Sequence, residues 1–288
     1  MRSSLLKILT FLGSLALSMP GAWASSLRNI CENPAARQVI MRADSFQSFN
    51  RLREHARKAQ VILIGETHFT QFGNRKHVMN EIAQGLSGRV CLMYELDRES
   101  SVQEHLKSYD LDPESFDFEK KQIGELHDAA TRLGWREFTV DLADGGQDIS
   151  VGRSNVRDEA MASRMAQLLS SGCERAVMFV GKIHLHNQAP GRRHLSERLK
   201  DRGLRVLTTA LVDPSDERMR KWGREESRDN MSWNGVCAPG RLLPKPSEAV
   251  LFFSSRLPPG MRLYPLSRDL GLWSAYDLTL LIPDPTFH

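Results

Sequence analysis

The sequence predicts an α/β fold: a mostly parallel central sheet flanked by helices, with a ligand cleft at the carboxyl ends of its strands. Two observations carry this. Short apolar runs rich in β-branched residues recur at Val61–Ile64, Val90–Tyr94, Phe138–Val140, Ala176–Val180, Val206–Leu211, Ala249–Phe253 and Leu278–Ile282. Their continuous rather than alternating apolarity is that of strands buried on both faces. Between the early ones lie helical patterns at Arg75–Leu86, Ser101–Tyr109, Phe118–Leu133, Asn155–Leu169 and His194–Arg202. Strands alternating with helices make a parallel sheet covered on both sides.

Other segments frame this core. Ala35–Lys58 reads as one or two helices ahead of the first strand. Residues 213–248 are rich in charge, Pro, Gly and Asn, carry Trp222 and Trp233, and show no periodicity. They read either as a lid over a site or as a surface insertion. Residues 1–24 have a short basic start (Arg2, Lys7), an apolar run from Leu5 to Leu17, a Pro20-Gly21 break and Ala22-Trp23-Ala24. This is the pattern of a signal peptide cleaved after Ala24, and the apolar run is too short to span a bilayer. A single exported domain, residues 25–288, is therefore expected, in a periplasmic or secreted setting and with no stable membrane anchor.

The formal net charge is +4, and losing Arg2 and Lys7 with the leader lowers it to +2. So small an excess gives no argument for nucleic acid or an anionic membrane as partner. Four cysteines, Cys31, Cys91, Cys173 and Cys237, lie beyond the expected cleavage site, and an oxidising compartment permits two disulfides among them. Cys91 and Cys173 each stand at or just before a strand-like run, so they are candidates for sheet neighbours. That pairing would leave Cys31 with Cys237. Four buried thiols is the competing reading.

One internal echo stands out. Two apolar runs end in Ile64-Gly65-Glu66-Thr67-His68 and Val180-Gly181-Lys182-Ile183-His184, each with Gly closing the strand and His three positions later. Open α/β sheets bind ligands just beyond the carboxyl ends of their strands, and glycine there lets backbone approach closely. Glu66 and His68 are two residues apart, so on extended backbone they point the same way. His184 and His186 repeat that spacing. Glu95 closes the second strand and Asp141 the third, which brings further acidic groups to the same edge. On the helix before the second histidine strand, Arg157, Met161, Met165 and Leu168 form one stripe. An arginine on such a stripe needs an anionic partner: Glu66, Glu95, a substrate oxyanion, or a plain salt bridge with Asp158 or Asp144. His77 is a weaker candidate, and His127 reads as surface. No Gly-rich phosphate loop, Gly-x-Ser-x-Gly elbow or His-Glu-x-x-His helix is present, which argues against nucleotide binding, a serine-esterase elbow and a thermolysin-like protease.

Taken in order, Ile64-Gly65-Glu66-Thr67-His68, the His77 helix, Glu95, Val140-Asp141, Arg157-Asp158-x-x-Met161-Ala162, Val180-Gly181-Lys182-Ile183-His184 and Tyr276-Asp277 resemble a known set. It is that of the superfamily joining ChaN-like haem-uptake proteins, the Tiki and TraB proteases and the erythromycin esterases. The resemblance implies two related halves with the two histidine ends facing across a cleft. The Glu66–His68 spacing is closest to the ChaN-like form, while Lys76-His77 stands where the family carries paired histidines.

Two chemistries are expected to compete for this edge, with a third, non-catalytic reading beside them. In a metal-assisted hydrolase of a small-molecule or peptide substrate, His68, His184 and Glu66 would hold a divalent ion. Glu66 would act as base, Glu95 would supply a further carboxylate, and Arg157 would stabilise the oxyanion. In a haem or iron-binding protein, an axial ligand would come from Tyr94, Tyr264 or Tyr276, with Asp141 and His77 nearby. The third reading is a degenerate member that binds a partner through residues 213–248.

Overall fold

The computed structural model describes residues 48–66, 75–95, 113–142, 151–185, 191–212, 250–252 and 276–281. Within them the order is α1 (Ser48–Lys58), β1 (Val61–Glu66), α2 (Arg75–Ala83), β2 (Val90–Tyr94), α3 (Pro113–Arg132), β3 (Arg136–Thr139) and α4 (Val151–Ser171). The chain continues through β4 (Arg175–Gly181), a 3₁₀ turn (Lys182–His184), α5 (Leu195–Asp201), β5 (Val206–Val212), β6 (Val250–Phe252) and β7 (Leu278–Leu281). The predicted helix at 101–109 and the 213–248 segment fall outside the described residues, as do Cys31, Cys237, His68, His186 and Tyr264. Among the described residues no helix is long and apolar enough to cross a membrane.

The sheet has seven strands in the order β3-β2-β4-β1-β5-β7-β6. All neighbours pair in parallel except β6, which runs antiparallel to β7. The α/β fold predicted from the apolar runs is the fold observed. Strand geometry explains how the runs are spent: successive side chains point to opposite faces. Val61 and Leu63 of β1 join one core cluster with Met161 and Met165 of α4 and Leu195 and Leu199 of α5. Ile62 and Ile64 join the other, with Leu52 of α1, Val78, Met79 and Ile82 of α2, and Leu126 and Ala129 of α3.

This division fixes the topology. Steps β1→β2 and β2→β3 run toward one edge with helices on one face; β3→β4 and β4→β5 run back with helices on the other. Right-handed crossovers demand that reversal of face when direction reverses. The consequence is that β4 inserts between β2 and β1, and the two echoing strands become neighbours, with Gly65 opposite Val180 and Glu66 opposite Gly181.

Cys91 of β2 is disulfide-bonded to Cys173, which precedes β4, so the sheet-neighbour pairing is the one formed. The bond closes a loop with a sequence separation of 82, and both residues are buried in the α4-side core. Cross-linking distant positions removes freedom from the unfolded chain. The Cys91→Ala/Cys173→Ala double variant is expected to lose roughly 2–4 kcal/mol of stability in urea unfolding; an unchanged midpoint would show that the bridge contributes nothing.

Candidate functional site

The carboxyl ends of β1 and β4 lie side by side, and the chain leaves them over opposite faces of the sheet. Such a switch point opens a crevice beyond the strand ends, where ligands of open α/β sheets bind. The buried polar groups of the described residues concentrate there.

Glu95, one residue past β2, is the hub. Its Oε2 accepts a 2.8 Å hydrogen bond from the Gly181 N–H. Its Oε1 lies 3.1 Å from Arg157 Nη2 and 2.9 Å from His184 Nε2. Gly181 holds φ −56° and ψ 134°, ordinary extended backbone. From there the chain tightens into the 3₁₀ turn that swings His184 back against Glu95. On its other side His184 Nδ1 meets Asp158 Oδ1. With a carboxylate beside each ring nitrogen, the charged imidazolium is the favoured form, although Nε2 faces Glu95 without hydrogen-bond geometry. Burial pulls its pKa down, but the attraction of Glu95 and the hydrogen bond to Asp158 outweigh it and lift the group to about 9.

Arg157 lies on the buried face of α4 with Ser154, Asp158, Met161, Ala162 and Met165. The helix begins at Val151, four residues earlier than the periodicity predicts, so Arg157 belongs to its second turn rather than its first. Its guanidinium reaches Asp141 with Nη2–Oδ2 at 2.5 Å and Nε–Oδ2 at 3.1 Å. Burial opposes the charge, yet the hydrogen bond to Asp141 and the attraction of Glu95 keep it raised above the ordinary arginine range. Arg157 is therefore a salt-bridged strut, and Asp141, weighed as a cofactor contact, is its counter-ion.

Glu66 carries the matching arrangement at the end of β1. Arg75, the first residue of α2, donates from Nε to Oε2 and faces Oε1 with Nη2, both at 2.7 Å, and both side chains are buried. One charge-assisted hydrogen bond and one close charge contact thus hold this pair. Gly65 is needed beside it for packing: a Cβ there would stand 2.9 Å from Leu185 Cδ1 and 3.1 Å from Tyr276 Cε1. The glycine that sequence reasoning assigned to ligand approach is filled by the turn carrying His184.

The expected metal set does not fit a divalent ion as arranged. A protonated ring held between two carboxylates offers no lone pair to a metal, and both Glu66 oxygens face Arg75. The third member, His68, lies outside the described residues. The other candidates are held by other contacts. His77 is exposed on α2 and packs edge-on against Phe49 of α1 at 5.1 Å. Tyr94, weighed as an axial ligand, donates its hydroxyl to Glu137 of β3 at 2.7 Å, and His127 Nδ1 meets the same carboxylate at 2.6 Å. Tyr276 is buried in the core.

No protein-family model matches the chain, and no curated protein does. Two solved structures resemble it. The type III effector HopBA1 is 11% identical with a TM-score of 0.43, over 88% of this chain and 99% of that one. RRSP, a MARTX toxin effector domain from Vibrio vulnificus, is 14% identical with a TM-score of 0.39, over 66% of this chain and 41% of that one. Likeness at this level assigns neither family nor activity.

Sequence reasoning missed three members. Asp158 was weighed only as a partner for Arg157, although it sits on the same buried stripe. Arg75 carries no sequence signal beyond opening the helix after β1, and Arg192 none beyond its place in a polar connection.

Two predictions follow from this geometry. The folded state holds His184 at about 9 against an ordinary value of 6.5. Its stabilisation is therefore complete below pH 6.5 and is lost as pH rises through 9. Urea unfolding is expected to show a decline on the order of 3 kcal/mol over that window, and His184→Gln should flatten it; an equal decline in the variant would refute the assignment. Gly65→Ala is expected to cost about 1–3 kcal/mol through overpacking, measurable in the same unfolding assay.

Proposed function

We infer that this chain is a hydrolase working at the edge formed by β1, β2 and β4. The observation that carries this reading is the buried Asp158–His184–Glu95 chain at the switch point, set on the strand next to Glu66. Buried, mutually oriented imidazole and carboxylate groups at such a place are the makings of acid–base catalysis.

The roles differ from those expected of a metal centre. His68, two residues past Glu66 in the sequence, is assigned as the base on its place in the Gly65-Glu66-Thr67-His68 strand end alone. It takes a proton from water as the water oxygen attacks a carbonyl carbon, and the carbonyl oxygen becomes an oxyanion. Collapse breaks the bond to the leaving group, which receives the proton from His68. His184 remains a cation throughout and, held between Asp158 and Glu95, fixes the geometry of the edge. Glu66, Glu95 and Arg157 are positioning residues, each fixed by a buried partner. In this reading the chain belongs with the ChaN, Tiki and erythromycin esterase superfamily, including its two related halves and cleft. It is exported after loss of residues 1–24, and the Cys91–Cys173 disulfide supports an oxidising destination.

One observation favours a second reading. The described charged groups of the edge largely satisfy one another, as in a binding protein whose catalytic function has lapsed. A panel of ester, lactone and peptide substrates separates the two. The hydrolase is expected to turn over at least one class, to lose roughly 10²–10⁴-fold in His68→Ala, and to retain its rate in EDTA. Turnover unaffected by His68→Ala, or a folded chain silent across the panel, would sink it.

A further inference from the structure

Each guanidinium at this edge is set against a carboxylate, and the least engaged is that of Arg192. The Arg192 side chain is fully buried. Its Nη2 lies 3.4 Å from Asp158 Oδ2, a long contact with a carboxylate already shared with His184. Its Nε and Nη1 have no hydrogen-bond partner among the described residues. Native proteins satisfy nearly all buried donors, so such a group points to a function not yet engaged.

The local chain is built to hold Arg192 inward. Gly191 adopts φ 79°, a left-handed conformation that glycine enters without penalty. Asn155, one turn before Asp158 on α4, clips the connection on both sides. Its Nδ2 donates to the Gly191 carbonyl at 3.0 Å, and its Oδ1 accepts from the Arg193 N–H at 2.9 Å and from Arg198 Nη2 at 3.0 Å. Consecutive arginines are thereby sent opposite ways: Arg193 goes out to Asp201 on the surface, with its side chain 58% exposed, and Arg192 goes in beside Asp158. Burial holds the Arg192 guanidinium below the ordinary arginine range, Asp158 only partly restores it, and Arg157 opposes it. The spare N–H groups of a buried guanidinium call for one more acceptor.

We propose that Arg192 is the anion-binding residue of this edge, taking a carboxylate or phosphate group of the substrate on its free Nε and Nη1 donors. The proposal rests on the reading of this edge as the working site and narrows the substrate to an oxyanion-bearing molecule. A charged guanidinium in a dry site binds an oxyanion far better than a neutral carbonyl.

Binding rather than turnover tests it, on the full chain. Inorganic phosphate and acetate are titrated separately, with sodium chloride at equal ionic strength as control, and stabilisation is read by thermal unfolding and affinity by calorimetry. At least one of the two should stabilise the wild type saturably, and which one does so separates a phosphate-bearing from a carboxylate-bearing substrate. Arg192→Gln should weaken that affinity at least tenfold, while Arg193→Gln leaves it unchanged. Arg192→Lys keeps a charge beside Asp158 should the Gln variant fail to fold, and it is expected to bind several-fold more weakly than the wild type. No effect of either anion beyond the chloride control, or wild-type affinity in the folded Arg192 variants, would overturn the proposal. Anion binding without hydrolysis would count against the hydrolase reading alone, and hydrolysis without anion binding against this one alone.

Discussion

The Glu95 carboxylate is the contact on which the carboxyl edge of this sheet depends. Taking a carboxylate out of water costs several kcal/mol unless donors replace the lost hydration. Here the donors come from three separate pieces of chain: the Gly181 backbone at the end of β4, Arg157 on α4, and His184 on the turn after β4. None of these positions can shift without exposing the carboxylate to an unpaired state. Glu95 thus fastens β2 to β4 and both to α4, and through His184 it sets Asp158.

The network extends in two directions from that hub. Through Arg157 it reaches Asp141 at the end of β3, and through Asp158 it reaches Arg192. On the far side of β4, Glu66 and Arg75 form a separate pair at the end of β1. Gly65 and Tyr276 pack against the turn that carries His184. The edge is consequently rigid where its charges pair. The exception is Arg192, whose spare donors give the network somewhere to bind something.

Much of the fold was legible because its signals are local. Val61–Ile64, Val90–Tyr94 and Ala176–Val180 are apolar on both faces, and that pattern belongs only to strands buried from both sides. The α4 stripe was legible for the same reason, since a helix buries one face at a fixed period. Glu95, Asp141 and Arg157 could be placed at one edge because strand ends and helix starts coincide in a strand–helix–strand unit. Their pairing could not, because a side chain's partner depends on which strands become neighbours. Sequence reasoning therefore left Arg157 to choose among Glu66, Glu95, a substrate oxyanion or a plain salt bridge, and gave His184 to a metal and Gly65 to ligand approach. The packed structure gives them to Asp141 and Glu95, to two carboxylates, and to Leu185 and Tyr276.

By itself, then, the sequence determined the elements, their alternation, the burial of both sheet faces and the residues that end each strand. These follow from hydrophobic period and backbone preference, which act over a few neighbouring residues. Only the tertiary structure decided that β4 enters between β2 and β1, that Cys91 meets Cys173, that Asp158 and Glu95 hold His184 as a cation, and that Arg192 turns inward while Arg193 turns out. The reason is physical: the energy of a buried charge is set by what surrounds it in space, and residues far apart in the chain supply those surroundings.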